Sequence, residues 1–279
     1  MECIQKYFIH NKTIKSCSSF NESVIETGLS VYEMIRVEKG IPLFIDDHLE
    51  RLYTSSAILD LKIEETKEEI KQFTQTLIQK NQVETGKIKL VIHFNSENNT
   101  EQDLLLYFTP YYFPSKKEYK NGVTAGLCKA VRINPNAKVL NIQARQKANN
   151  VIVEKKLFEV LLLDVNDFIT EGSRSNVFFI KDNVIYTPPG KDVLQGITRK
   201  NILHICEQQN LSLIQKNIHL SELENFDAVF LSGTSLKVLP VKNIETHFFG
   251  TKNKTLQQLM DLYHVLIKQY IKNITNPAS

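Results

Sequence analysis

The rhythm of apolar and polar positions changes along the chain, and the changes mark its elements. Residues 4–20 read as short strands with a turn at Asn11-Lys12. From Val31 to Val37 the chain is β-rich again, with a turn at Lys39-Gly40 and a short strand from Ile41 to Phe44. Asp46 and Asp47 suit the start of a helix carrying His48, Leu49, Arg51 and Leu52, in which His48 and Arg51 share a face. Thr66-Lys67-Glu68-Glu69 has the form of a capping box. Ile70, Phe73 and Leu77 follow at helical spacing, which predicts a helix from about Thr66 to Asn81. Gly86 breaks that stretch, and Lys87 to Phe94 then alternates like a strand. Asn95 to Thr100 reads as a turn, and Leu104 to Thr109 as a further strand of the same sheet. Tyr111 to Asn121, with Pro114 and Ser115, has no period and predicts a linker.

Beyond it the pattern resumes with a strand from Val123 to Ile133, which Pro135 interrupts. Lys138 is left on a short irregular segment before a helix from about Ile142 to Phe158. Glu159 to Asp164 has the apolar run of a buried strand. Phe168 to Thr170 and Asn176 to Ile180 are further strands, and Asp182-Asn183 is a hairpin turn. Ile197 to Gln209 is amphipathic, and Ala228 to Leu231 is a buried strand running into Ser232-Gly233-Thr234-Ser235. The last helix, Leu256 to Ile271, puts Leu256, Leu259, Tyr263, Leu266 and Tyr270 on one face. The expected class is α/β (α+β). A small two-layer α/β domain spans residues 1–113, a linker 114–121, and a larger domain 122–279 carries Lys138.

Composition narrows the function classes. With 279 residues and 42% hydrophobic side chains, the chain can bury a sizeable core. A net charge of +3, scattered rather than clustered, recruits neither nucleic acid nor a membrane surface. No apolar run reaches the ~20 residues of a membrane span, and Met1 to Lys6 lacks the apolar core of a secretory signal. Cys3, Cys17, Cys128 and Cys206 lie far apart, so neither a zinc site nor a disulfide framework is implied. A cytoplasmic protein is expected.

The chemistry concentrates between Asp164 and Arg199. Glu171 stands between a strand end and Gly172, which lets backbone approach closely. Gly196-Ile197-Thr198 opens a helix, offering free N–H groups and a hydroxyl to a phosphate. Lys138 lies 33 residues before Glu171, and Gly233-Thr234-Ser235 follows a strand. A lysine amine, a carboxylate for a ring nitrogen and a phosphate cup are what pyridoxal-phosphate chemistry requires. Each element singly has a plainer reading: a turn, a helix cap, an exposed lysine.

Several motifs in fixed order go further: Gly28-Leu29-Ser30-Val31-Tyr32-Glu33, His48-Leu49-Glu50-Arg51-Leu52, Lys138-Val139-Leu140-Asn141, Thr170-Glu171-Gly172-Ser173-Arg174-Ser175-Asn176, Leu194-Gln195-Gly196-Ile197-Thr198-Arg199 and Ser232-Gly233-Thr234. In these the chain resembles the class IV aminotransferases, the fold-type IV pyridoxal-phosphate enzymes. That family includes branched-chain and D-amino-acid aminotransferases and aminodeoxychorismate lyase. The resemblance implies pyridoxal 5'-phosphate as cofactor, with Lys138 as the Schiff-base lysine followed by the family's asparagine at Asn141. Glu171 is implied at the ring nitrogen, Arg51, Ile197, Thr198 and Thr234 at the phosphate, and Leu194 on the ring face. It implies a larger pseudo-barrel domain, a cofactor in the cleft between the domains, and a homodimer. The expected reaction moves an amino group between an amino acid, branched-chain-like or D, and a 2-oxo acid. The alternative is aminodeoxychorismate lyase, forming 4-aminobenzoate.

Two departures bear on the substrate. Branched-chain enzymes carry a tyrosine just after the lysine-motif asparagine, where this chain has Ile142. D-amino-acid enzymes carry an arginine and a histidine after the strand matching Lys87 to Phe94, where this chain reads His93-Phe94-Asn95. Lys89 and His93 share a strand face and are the expected substitutes for that carboxylate trap, equally open to reading as a mixed exposed strand. Tyr32, Thr234 and Ser235 complete the expected substrate-binding residues. Lyases of the family with a threonine pair after Tyr32 differ from this chain, which has Glu33-Met34 there.

Overall fold

The computed structural model describes residues 2–25, 28–95, 102–132, 134–140 and 142–276. It divides into two compact units. One comprises Met1–Tyr112, Ala137–Leu140 and Ile267–Ser279, the other Phe113–Asn136 and Asn141–Leu266.

The first unit is built on an antiparallel sheet. Its strands are β1 (Tyr7–His10), β2 (Thr13–Ser16), β3 (Leu29–Glu38), β4 (Ile41–Pro42), β5 (Thr85–Phe94) and β6 (Gln102–Phe108), in the order β2-β1-β6-β5-β3-β4. Positive φ at Asn11 and Lys12 gives the β1–β2 turn the twist that a two-residue hairpin needs. Helices α1 (Ile45–Ile58) and α2 (Lys67–Asn81) lie against one face. There Val31, Ile35, Ile88, Leu90, Ile92 and Leu106 pack with Leu49, Leu52, Ile70 and Leu77. The capping box forms in both directions, Thr66 accepting from Glu69 N–H and Glu69 from Thr66 N–H. Period-two alternation sends Tyr32, Val91, Leu105 and Tyr107 to the opposite face, against Cys3, Phe8 and Cys17.

Three local expectations are corrected here. The strand expected to Phe44 stops at Pro42, because Phe44 takes a left-handed φ of 54° at the entry to α1. Gly86 lies inside β5, while α2 ends at Gln82, also left-handed. Cys3 and Cys17 form a disulfide with Cα atoms 6.0 Å apart, where spacing alone implied none. Glu26, Thr27 and most of the expected Asn95 to Thr100 turn lie outside the described residues.

The second unit contains α3 (Lys116–Asn121), β7 (Val123–Lys129), α4 (Ile142–Glu154), β8 (Glu159–Leu163), β9 (Phe168–Gly172), β10 (Asn176–Lys181), β11 (Val184–Thr187), α5 (Ile197–Gln208), β12 (Leu213–Gln215), β13 (Ile218–His219), β14 (Ala228–Gly233), β15 (Lys237–Ile244) and β16 (His247–Phe248). Its mixed ten-stranded sheet runs β12-β11-β10-β14-β15-β7-β8-β9-β13, with β16 beside β15. The β7–β8 pair is parallel, and α4 supplies the crossover. Helix α6 (Lys254–Thr275) begins in this unit and ends in the first. The expected linker holds α3, capped reciprocally by Ser115 and Glu118. Six helical residues are too few to show a period, which is why the pattern alone reads as irregular.

The Lys138 segment also falls differently from expectation, clustering with the first unit. The cause is backbone pairing: Tyr32 N–H donates to Lys138 O at 3.1 Å and Leu140 N–H to Ser30 O at 3.1 Å. A Val31–Val139 bridge lies between them, so residues 138–140 extend the sheet at the free edge of β3.

Candidate active site

In the first unit, Lys138 is held at its backbone and presented at its side chain. Its amide donates to Ser55 Oγ at 3.1 Å, its carbonyl accepts from Tyr32, and its Nζ stands 4.7 Å over the Tyr32 ring. An ammonium over an aromatic face is attracted to the ring's negative quadrupole.

Behind this edge, on the α1 side of the sheet, lies a buried polar cluster. Glu33, 0% exposed, accepts from Arg51 Nε at 2.7 Å, Arg51 Nη2 at 2.6 Å and His48 Nδ1 at 2.7 Å. Burial pushes the Glu33 carboxyl up, but Arg51 and His48 outweigh it and hold the group at about 2. Burial pushes His48 below its ordinary value; Glu33 opposes this, while the charges of Arg51 and Lys138 add to it. Two donors on one edge of the Arg51 fork, Nε and Nη2, therefore serve Glu33, an arrangement that suits a planar guanidinium and fixes its direction. Sequence spacing pairs His48 with Arg51 on one helical face but gives Glu33 no role.

On the opposite face, Lys89 Nζ bonds Glu2 Oε2 at 2.5 Å, and Tyr107 donates its hydroxyl to the same oxygen at 2.7 Å. The Lys89 charge is thus already met by a carboxylate 87 residues away in the chain. His93, buried, bonds Ser30 Oγ through Nδ1 at 2.8 Å. Lys89 and His93 do share a face, as the alternation requires, with Tyr32 on the neighbouring strand.

The second unit organises the Glu171 motif. Glu171 is 3% exposed. Its Oε1 accepts from Arg132 Nη1 at 2.9 Å, and its Oε2 from Leu194 N–H at 3.2 Å and Asn176 Nδ2 at 3.5 Å. Asn176 Nδ2 also donates to Leu194 O at 2.8 Å, tying Glu171 to the segment that enters α5. A Cβ at Gly196 would meet Asn176 Oδ1, so a side chain there would displace the amide that Leu194 O and Glu171 hold. A Cβ at Gly172 would likewise meet Ser175 Oγ and displace it from Glu159. The turn between them is anchored by buried Glu159, which accepts from Ser173 Oγ at 2.5 Å and Ser175 Oγ at 3.0 Å. Arg132 and Glu159 carry no motif signal, because each acts through a contact with a distant segment.

Helix α5 starts at Ile197 with no side chain capping it from Gly196, although Ile197 and Thr198 are buried. A buried helix start without a capping side chain is chemistry suited to an anion. Tyr263 donates to Thr198 Oγ at 3.4 Å, positioning that hydroxyl. Thr234 and Ser235 sit half-buried on the turn joining β14 to β15. Asn141 lies outside the described residues. No group of three or more metal-ligating side chains occurs among the described residues.

The amino-transferase class IV family model matches residues 30–244. The chain belongs to the class IV aminotransferase family. It is 34% identical over 236 residues to the D-alanine aminotransferase of Bacillus licheniformis, covering 80% of this chain and 82% of that one. It is 28% identical to the "probable branched-chain-amino-acid aminotransferase" of Rickettsia bellii, covering 77% and 78%. Among solved structures, a T.th. branched-chain amino acid aminotransferase with pyridoxamine 5'-phosphate matches at a TM-score of 0.87, with 21% identity and 96% of both chains covered. This class IV aminotransferase accordingly has the fold-type IV architecture, and pyridoxal 5'-phosphate is the family's cofactor. A buried carboxylate and a helix start without a side-chain cap in the second unit, and a lysine held by its backbone in the first, are each the kind of group that cofactor needs. Among the described residues, no helix is long and apolar enough to cross a membrane.

Proposed function

We propose that this aminotransferase takes a small D-amino acid, D-alanine above all, as donor and a 2-oxo acid as acceptor, and that it works as a cytoplasmic homodimer. The observation that carries the assignment of roles is the presentation of Lys138: braced by Ser55 and Tyr32 at its backbone, with its Nζ over the Tyr32 ring. The donor class is supported by the greater identity to the D-alanine enzyme and by Ile142, which replaces the tyrosine expected of branched-chain enzymes.

The bound cofactor supplies an electron sink that labilises the bonds at the substrate Cα. Lys138 would hold the cofactor through Nζ, and the same amine would carry the proton at the substrate Cα. Glu171, oriented by Arg132, Leu194 and Asn176, keeps the ring nitrogen protonated by opposite charge. Arg51, Ile197, Thr198 and Thr234 bind the phosphate, and Leu194 packs on the ring. Tyr32, Thr234 and Ser235 line the substrate side. Lys89 and His93 contribute to the wall there, Lys89 with its charge shared by Glu2.

The test is a half-reaction. D-alanine added to the purified enzyme without acceptor should convert the cofactor's absorption in one turnover and release pyruvate stoichiometrically, and a 2-oxo acid should reverse the change. L-alanine should do so far more slowly. Equal rates with the two enantiomers would refute the donor class. Catalytic pyruvate and 4-aminobenzoate from aminodeoxychorismate would identify a lyase instead.

A further inference from the structure

Arg199 is a buried cation that the transamination chemistry leaves unused. It follows Thr198 in the first turn of α5 and is 2% exposed. Nη1 donates to Gln195 Oε1 at 3.1 Å, and Nη2 donates to Pro188 O at 3.1 Å and to Gln215 Oε1 at 2.9 Å. Nε is buried without a partner. All three acceptors are neutral, so no carboxylate bonds this guanidinium among the described residues; Glu171 acts on it only through space. Burying a guanidinium against neutral acceptors alone costs desolvation that no ion pair returns. An anion bound nearby would be attracted to this charge through space.

The segment that Arg199 holds leads directly into the uncapped start of α5. Gln195 precedes the Gly196 N-cap and also donates through Nε2 to Gly190 O, so the guanidinium ties the stretch from Pro188 to Gln195 to β12. The helix start and the guanidinium contribute charge of one sign to one turn.

We propose that Arg199 is a positioning residue for the cofactor's phosphate. It orients Gln195 just ahead of the helix start and supplies a monopole that favours a dianion at Ile197 and Thr198, without touching the phosphate. This rests on the reading of Ile197 and Thr198 as phosphate ligands.

The test compares the affinity of the apoenzyme for pyridoxal 5'-phosphate and for pyridoxal, which lacks the phosphate, in the wild type, R199Q, R199K and T198V. R199Q should reduce the preference for the phosphorylated form about tenfold or more and leave pyridoxal binding within about twofold, because only the anion senses the lost charge. R199K, which keeps the charge, should retain most of the preference. A scaffolding role without electrostatics would weaken both ligands together; that result, or an unchanged ratio, overturns the proposal. T198V separates the two readings. A ratio unaltered in T198V refutes the phosphate assignment itself, whereas a ratio altered in T198V but not in R199Q refutes Arg199 alone. Should R199Q fail to fold, R199K decides, and a roughly tenfold or greater loss of preference with the charge kept overturns the proposal.

Discussion

Arg132 and Glu171 form an ion pair at 2.9 Å inside the second unit, 39 residues apart in the chain. The same carboxylate accepts the Leu194 amide, so one side chain joins a guanidinium to the entry of α5. E171Q should retain cofactor, because it leaves the proposed phosphate ligands untouched, and lose roughly a hundredfold or more in kcat, the scale of one preorganised electrostatic contact. R132Q should lose less. The double variant should be no slower than E171Q, since Arg132 acts through that carboxylate. Additive losses in a steady-state cycle would show that Arg132 works elsewhere.

Lys138 is the predicted point of covalent attachment. Borohydride reduction of the holoenzyme should fix the cofactor to the Lys138 peptide, read by mass mapping, and abolish activity. K138A should lose roughly 10²–10⁴-fold or more in turnover, the range of a positioned proton-transfer group. An adduct on Lys147 or Lys155 would refute the assignment.

The Glu33 cluster predicts a stability effect distinct from chemistry. E33Q leaves the buried Arg51 guanidinium without its counter-charge and should destabilise the protein by about 3–5 kcal/mol in urea unfolding. The apolar pair E33L/R51M should recover much of that loss in stability while remaining impaired in cofactor binding. A neutral E33Q would show that the cluster relaxes into solvent.

His48 gives a pH dependence whose sign follows from its lowered folded value. The unfolded chain takes up a proton near the ordinary value of 6.5, while the folded imidazole, desolvated by burial, resists doing so. Stability from this group is therefore present above about 6.5 and lost as pH falls below it, by at most ~1.4 kcal/mol per pH unit. Glu33 adds a second loss at lower pH, between its ordinary 4.5 and about 2. H48Q should flatten the stability–pH curve just below about pH 6.5 relative to wild type, and unfolding midpoints measured as the pH is lowered from there check it. An unchanged slope would assign the proton uptake elsewhere, His93 being the other buried histidine whose value is lowered.

Local chemistry made much of the fold legible in the sequence. The Thr66 capping box, the Asn11-Lys12 turn and the alternation of β5 each depend on residues within a few positions of one another, and each appears in the structure. The ordered motifs likewise marked the family, and within them Gly172 and Gly196 lie where the Ser175 and Asn176 side chains come close. What periodicity could not supply was pairing between distant segments. Glu33 alternates to the helix-covered face of β3 and meets Arg51 and His48 only once α1 docks there. Lys89 looks like a lone cation until Glu2 is laid across the sheet. Lys138 sits in an irregular stretch until its backbone joins β3. In each case the sequence by itself determined which face or turn a residue occupies. The tertiary structure alone decided its charge partner, since register and docking, not spacing, set distances of about 3 Å between residues tens of positions apart.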